Sequence, residues 1–374
     1  MKDSVKYVIE RILFIFLTAF IILSITYILL QCLPIQPMTS QATEEFRFWE
    51  NQVRLGFYYS IDRSKIGTEV DGAKYFVEDF EKLNNILNNA GDYAQATVST
   101  GSGSTTYYYI PYPIMTRYFV WIKNIFTAWD WGTSTSVSLN QPAIAILMEG
   151  LPYSMRLNIV SIIISVPLGL GLGVLAALKK NTWVDTLVST IIMIFISVPS
   201  FVLISFLLIW FGSISGFPIQ WPSDAAAAAN PALAIKAYII PVMALSFGSV
   251  CSFARYTRAE LCEIMSSEFL LLARTKGLTK GQSVIRHALR NSLVPIVPMI
   301  IAQFIGILSG SMVLEQIYGI PGIGSLFVKA LNAKDYPVIM VDMAIYTTIG
   351  LFATLIIDLS YGIVDPRIRM GAKK

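Results

Sequence analysis

The sequence is poor in the residues from which most enzymes build their reactive centres. Among 374 residues there are three cysteines and one histidine. Cys32, Cys251 and Cys262 lie far apart with no paired spacing, which argues against both a disulfide framework and a zinc site. Charge is scarce as well: Asp, Glu, Lys and Arg make up 14% of the chain, against roughly 25% in soluble domains. With 55% hydrophobic residues, such a surface would not stay dispersed in water, and a lipid bilayer is the expected solvent. The net charge of +4 says little about partners, and no nucleic-acid partner is expected. No phosphate-cradling G-x-x-x-x-G-K-[ST] string occurs. Gly319, Gly322 and Gly324 follow an apolar span rather than a strand, so they read as turn residues and not as a dinucleotide loop. The lone His287 sits among basic residues, away from any serine–carboxylate partnership. No catalytic, metal-binding or cofactor-binding residue is expected.

Long apolar runs are abundant. A spanning helix needs roughly 20 apolar residues. Six stretches qualify: Ile12–Leu33, Tyr153–Leu178, Thr186–Phe211, Ile235–Phe253, Leu293–Leu314 and Val338–Ile363. The first is too long for a signal peptide and lacks a small-residue cleavage site. Lys and Arg set the orientation. Lys2, Lys6, Arg11, Lys179, Lys180, the stretch Arg255–Arg290 and the tail from Arg367 to Lys374 share one face; the short loops opposite hold only Lys236, Lys329 and Lys334. Both termini are therefore expected in the cytoplasm. Acidic residues near the spans sit at their ends, at Glu149, Asp185, Glu315, Asp342 and Asp358. The groups left inside are Ser, Thr, Asn158 and Gln303. Proton- or cation-coupled transporters usually keep carboxylates or histidines near the midplane. This pattern instead implies either passive transport or a partner that supplies the energy.

The organisation expected is a tail and first span at residues 1–40, an extracytoplasmic insertion at 41–111, and a core at 112–374 with a cytoplasmic loop at about 255–291. From Glu44 to Ile110 the chain carries ten acidic against six basic residues. Phe76, Phe80, Leu83 and Leu87 lie on one helical face that Gly91 can end. Gly101-Ser102-Gly103 between two Thr-rich runs reads as a hairpin. A small α+β fold is the reading, with a disordered linker as the alternative. In the cytoplasmic loop, Ser267–Gly277 reads as a short helix ended by Gly277, and Thr279-Lys280-Gly281-Gln282 as a capping box that opens a second. By composition this element is either a docking knob for a protein or an amphipathic helix on anionic lipid, since seven basic residues face Glu260, Glu263 and Glu268. The pairs Gly169/Gly173 and Gly306/Gly310 read first as packing contacts, and Pro167 and Pro199 as kinks.

Several strings occur together in one order. They include Leu33-Pro34, Asp130-Trp131-Gly132-Thr133-Ser134, Val198-Pro199-Ser200-Phe201, Arg255-Tyr256-Thr257-Arg258 and Ala273-Arg274-Thr275-Lys276-Gly277-Leu278. Arg286-His287-Ala288-Leu289-Arg290-Asn291, Glu315-Gln316-Ile317-Tyr318 with Pro321-Gly322-Ile323-Gly324, Asp335-Tyr336-Pro337 and Asp365-Pro366-Arg367 complete the set. The set resembles the permease subunits of dipeptide/oligopeptide ABC importers, in particular the B-type subunit. Where the general importer signature reads Glu-Ala-Ala, this chain has Leu271-Leu272-Ala273. The likeness covers about residues 1–40 and 112–374 and leaves out 44–110.

The resemblance implies the type I importer permease fold, an all-α polytopic protein of about six spans. It implies a second permease subunit as heterodimer partner and two cytoplasmic ATPase subunits that bind ATP and Mg2+. It further implies an extracytoplasmic binding protein, a peptide substrate and a lipid surround. Glu268, Phe269, Leu272, Ala273, Arg274, Lys276 and Gly277 would couple to the ATPase, and Gln303, Gly306, Ser309 and Gly310 are candidates for the path or the permease interface. Alternatives are the same architecture with another cargo, such as nickel or a glutathione-like peptide, or a membrane scaffold that transports nothing.

Overall fold

A computed structural model describes residues 2–33, 35, 41–67, 77–90, 93–100, 103–212, 216–305 and 311–364. The chain divides into two compact units. One holds Gly150–Leu326 with the chain ends up to Leu17 and from Tyr346; the other holds Thr18–Glu149 and Phe327–Ile345. Among the described residues, five helices are long and apolar enough to cross a membrane, and a bent pair makes a sixth candidate.

The first helix, α1 (Lys2–Gln31), is apolar on nearly all sides. Leu13, Phe14, Phe16 and Leu17 are all more than half exposed, a surface that only lipid or another apolar partner can cover. Between α1 and the next span lie α2 (Ala42–Arg54), β1 (Tyr58–Asp62), α3 (Phe80–Ala90), β2 (Ala94–Thr100), β3 (Gly103–Pro111) and α4 (Ile114–Ala128). The strands form one antiparallel sheet in the order β1-β3-β2. Strand alternation assigns its two faces. Tyr109, with Tyr58 and Ala96, packs on Phe48 and Trp49 of α2. Tyr108, Ile110 and Ile61 pack on Leu83 and Leu87 of α3. The expected helix and hairpin are thus both present. Leu83 and Leu87 are buried while Phe80 is exposed, and Phe76 lies outside the described residues. The strand at Tyr58–Asp62 and the helices α2 and α4 are additions to the expected pattern.

The same unit contains a clamp on the segment after α4. The Asp335 carboxylate accepts the Ser134 hydroxyl at 2.5 Å and the backbone N–H groups of Thr135, Ser136 and Val137 at 3.1, 3.0 and 2.9 Å. Asp335 and Ser134 are both fully buried. Turn N–H groups with no ladder partner are met by a charge, which makes the bonds short and strong. Two strings that looked unrelated in the sequence, Asp130–Ser134 and Asp335–Pro337, are joined here.

The other unit begins within α5 (Ala143–Leu178), at Gly150, and α5 is followed by α6 (Trp183–Ser197) and α7 (Ser200–Gly212). Here the structure corrects the sequence reading. The expected single span Thr186–Phe211 is two helices at 102° to each other. Val198 is extended, with φ −89° and ψ 119°, because the ring of Pro199 disfavours a helical residue before it. Pro199 therefore breaks the span rather than merely kinking it. Next come α8 (Asp224–Ala229) and α9 (Pro231–Met265), then α10 (Glu268–Thr275), α11 (Lys280–Ser283) and a π-turn at Val284–Ala288. α12 (Leu289–Ile305), α13 (Met312–Tyr318), α14 (Ile323–Asn332) and α15 (Tyr336–Val364) complete the chain. The expected fifth span, Leu293–Leu314, thus corresponds to α12 and the start of α13, with residues 306–310 outside the described set.

Candidate functional site

The helix-to-helix turn after α9 is built as its sequence dictates. Ser266 closes α9, and its hydroxyl donates to the Glu263 carbonyl at 2.7 Å. α10 runs one short stretch and stops because Gly277 takes φ +91°, a conformation that suits glycine and strains other residues. The Thr279 box forms as expected, with Thr279 N donating to Gln282 Oε1 at 3.2 Å and Gln282 N to Thr279 Oγ1 at 3.3 Å.

One side chain anchors α10. Leu270 is buried with Ala177, Leu261, Val284 and Ala288. Phe269, Leu271 and Leu272 are left 44%, 55% and 58% exposed. Glu268, Arg274, Lys276 and Gly277 are exposed and Ala273 is half-buried. The site residues expected from sequence, Glu268 to Gly277, thus lie together on an outward apolar patch edged by two cations. The anchor itself was missed, because three consecutive leucines have no periodicity to separate the buried one from the exposed ones.

Two contacts set where this element stands. First, α5 and α9 touch closely. A Cβ placed on Gly169 would lie 2.6 Å from Phe253 Cβ, and one on Gly173 would lie 2.5 Å from Thr257 Cβ. The pair Gly169/Gly173 is therefore a packing contact; Gly306/Gly310 falls outside the described residues. Second, Arg258 near the end of α9 grips Asp185 at the start of α6 with two parallel bonds, Nε–Oδ1 at 2.5 Å and Nη2–Oδ2 at 2.8 Å. Asp185 is 4% exposed and also accepts from the Asn181 backbone and the Ser189 hydroxyl. In sequence it was only an acidic residue at a helix end.

Of the expected path residues, Gln303 donates to Ser249 Oγ at 2.7 Å, linking α12 to α9. Gly306, Ser309 and Gly310 lie outside the described residues. Beyond them, Glu315 is fully buried. Its carboxylate accepts the Ser154 hydroxyl at 2.8 Å and the N–H groups of Ser311 and Ser325 at 3.1 Å each. Burial pushes this carboxyl above its usual range, and those bonds partly hold it down. Among the described residues, no cluster of His, Cys, Asp or Glu forms a metal site.

Long apolar helices, one span broken at a proline, define a polytopic membrane protein, and a short helix in a connecting turn carries exposed apolar side chains beside two cations. The chain belongs to the family described as binding-protein-dependent transport system inner membrane component, which it matches over residues 169–370. It is 37% identical over 260 residues to the dipeptide transport system permease protein DppB of Lactococcus lactis subsp. cremoris, covering 69% of this chain and 82% of that one. It is 34% identical over 272 residues to DppB of Bacillus subtilis, covering 71% and 83%. It is likewise 34% identical over 265 residues to the oligopeptide transport system permease protein OppB of Escherichia coli K12, covering 70% and 83%. The family expected from the ordered strings is the family found, and its members are inner-membrane components.

Proposed function

We propose that this chain is a B-type permease subunit of an ABC importer that carries dipeptides or oligopeptides across the bacterial cytoplasmic membrane. The observation that carries the reading is the identity of 34–37% to dipeptide and oligopeptide permeases over more than four-fifths of their length. The chain pairs with a second permease subunit in a heterodimer of the type I fold and receives peptide from an extracytoplasmic binding protein. It hydrolyses nothing and binds no cofactor. Two cytoplasmic ATPase subunits bind ATP and Mg2+ and supply the energy. Both termini lie in the cytoplasm and residues 41–111 lie outside, in accord with the Lys/Arg asymmetry.

In this account α10 is the coupling element. Phe269, Leu272 and Ala273 enter a groove of one ATPase subunit, and Glu268, Arg274 and Lys276 rim the contact and fix its orientation. Burying the exposed halves of Phe269 and Leu272 would contribute about 1 kcal/mol each, enough for a specific but reversible joint. Closure of the ATPase pair then moves α10 and α9 as a rigid body between two discrete arrangements. Gln303, Gly306, Ser309 and Gly310 of the fifth span line the path or meet the partner permease.

The test is capture of the assembly through a tag on this chain in mild detergent, followed by mass spectrometry. A second permease, ATPase subunits and a binding protein are expected together. Recovery of the chain without any ATPase, under conditions that keep other membrane complexes whole, would contradict the importer reading and favour a scaffold.

A further inference from the structure

The end of α1, strand β1, the end of α3 and the start of α4 enclose a cleft of about 650 Å3, with Gln31, Tyr59, Asn89, Tyr112 and Arg117 in its wall. That volume is in the usual range for small-ligand sites, roughly 300–1,000 Å3. Among the described residues that line it, Arg117 is the only charged one. It is 7% exposed. Nη1 donates to Gln31 Oε1. Nε has no hydrogen-bond partner among the described residues, and no carboxylate among them forms an ion pair with Arg117. A buried cation left without a counter-charge is costly, and a carboxylate seated against the guanidinium fork relieves the cost.

We infer that this cleft is a carboxylate-binding site whose ligand is the C-terminal end of a short peptide. One fixed positive charge matches one carboxylate. The rings of Tyr59 and Tyr112, 5.3 Å apart between centroids, and the Asn89 amide offer the mixed apolar and hydrogen-bonding wall that a peptide backbone needs. A phospholipid headgroup fits less well, because the described wall residues bring no second cation to its phosphodiester. The inference rests on the peptide-import reading for the source of the carboxylate. It adds a holding site on the permease itself, at the end of the first span.

The experiment is equilibrium binding of radiolabelled trialanine and trialanine amide to the full-length chain in phosphatidylcholine nanodiscs. The acid is expected to bind saturably and the amide at least about tenfold more weakly. Arg117→Gln should remove the difference between the two peptides, and Arg117→Lys should keep part of it. Equal affinity of the wild-type chain for acid and amide, or no saturable binding of either, overturns the proposal. This comparison uses only the wild-type chain, so it stands even if the variants fold poorly. Retention of phosphatidylglycerol through purification by the wild-type chain but not by Arg117→Gln, with no trialanine binding, assigns the site to a lipid phosphate and also overturns it. Neither uptake nor ATP hydrolysis is read, so a failed site leaves the importer reading intact, and failed partner capture leaves the binding result intact.

Discussion

Replacing Gly277 with valine is expected to leave the chain in the membrane at normal abundance and to lower peptide uptake about five- to thirtyfold. The cause is backbone strain alone. Gly277 has φ +91°, yet a Cβ there would meet nothing within 4 Å, so no clash is involved. A side chain at positive φ costs roughly 1–2 kcal/mol, more for a β-branched residue, and one or two kcal/mol is a factor of about 5–30. The turn relieves the strain by tilting α10 against the capped helix that follows, which moves the apolar patch off its partner. Gly277→Asn, a residue more tolerant of positive φ, should lose less. Ala273→Asp should be as harmful as Gly277→Val by a different route, since it puts a charge at a half-buried position in the contact. ATPase pull-down and uptake at equal expression check both. If α10 instead lies on lipid, Ala273→Asp leaves ATPase binding unchanged, while loss of Arg274 and Lys276 together weakens membrane-surface binding.

The second large effect is expected at Asp185 and Arg258. Removing one member of a buried, hydrogen-bonded ion pair typically costs about 3–5 kcal/mol. The Arg258 side chain is 32% exposed, so the low end, about 3 kcal/mol, is expected for Asp185→Ala. The pair holds the start of α6 to α9 about two turns before α9 ends and α10 departs, so uptake should fall along with stability. Arg258→Ala alone should be similar, and the double variant should be less damaged than the sum of the two, since neither charge is then left uncompensated. Thermal unfolding of the four forms in detergent measures this. Strict additivity would show that the bond seen at 2.5 Å carries no net energy.

What the sequence disclosed and what it hid follow from the range of each interaction. The Thr279 box, the stop at Gly277, the Leu83/Leu87 face and the strands around Gly103 are local, and local residues announced them. The Gly169/Gly173 approach was readable because two glycines four apart make a groove on a helix whatever fills it. The broken span was hidden because hydropathy counts apolar residues and carries no direction: Thr186–Phe211 is equally apolar straight or folded back. The Asp335 clamp on Ser134–Val137 and the Asp185–Arg258 bond join residues 200 and 73 positions apart. No pattern in a single sequence pairs such residues. The third strand, at Tyr58–Asp62, was missed for a similar reason, since its partner β3 lies beyond an intervening helix.

The central claim is that this chain forms a peptide path powered by other subunits. Its most direct test is uptake of a labelled dipeptide or oligopeptide into proteoliposomes that hold this chain with its partner permease and ATPase subunits, ATP inside and the binding protein outside. Accumulation against a gradient is expected, and it disappears when ATP, the binding protein or this chain is left out. Peptide accumulation that persists without ATP, or an assembly that hydrolyses ATP on adding peptide-loaded binding protein yet moves no peptide, would contradict it.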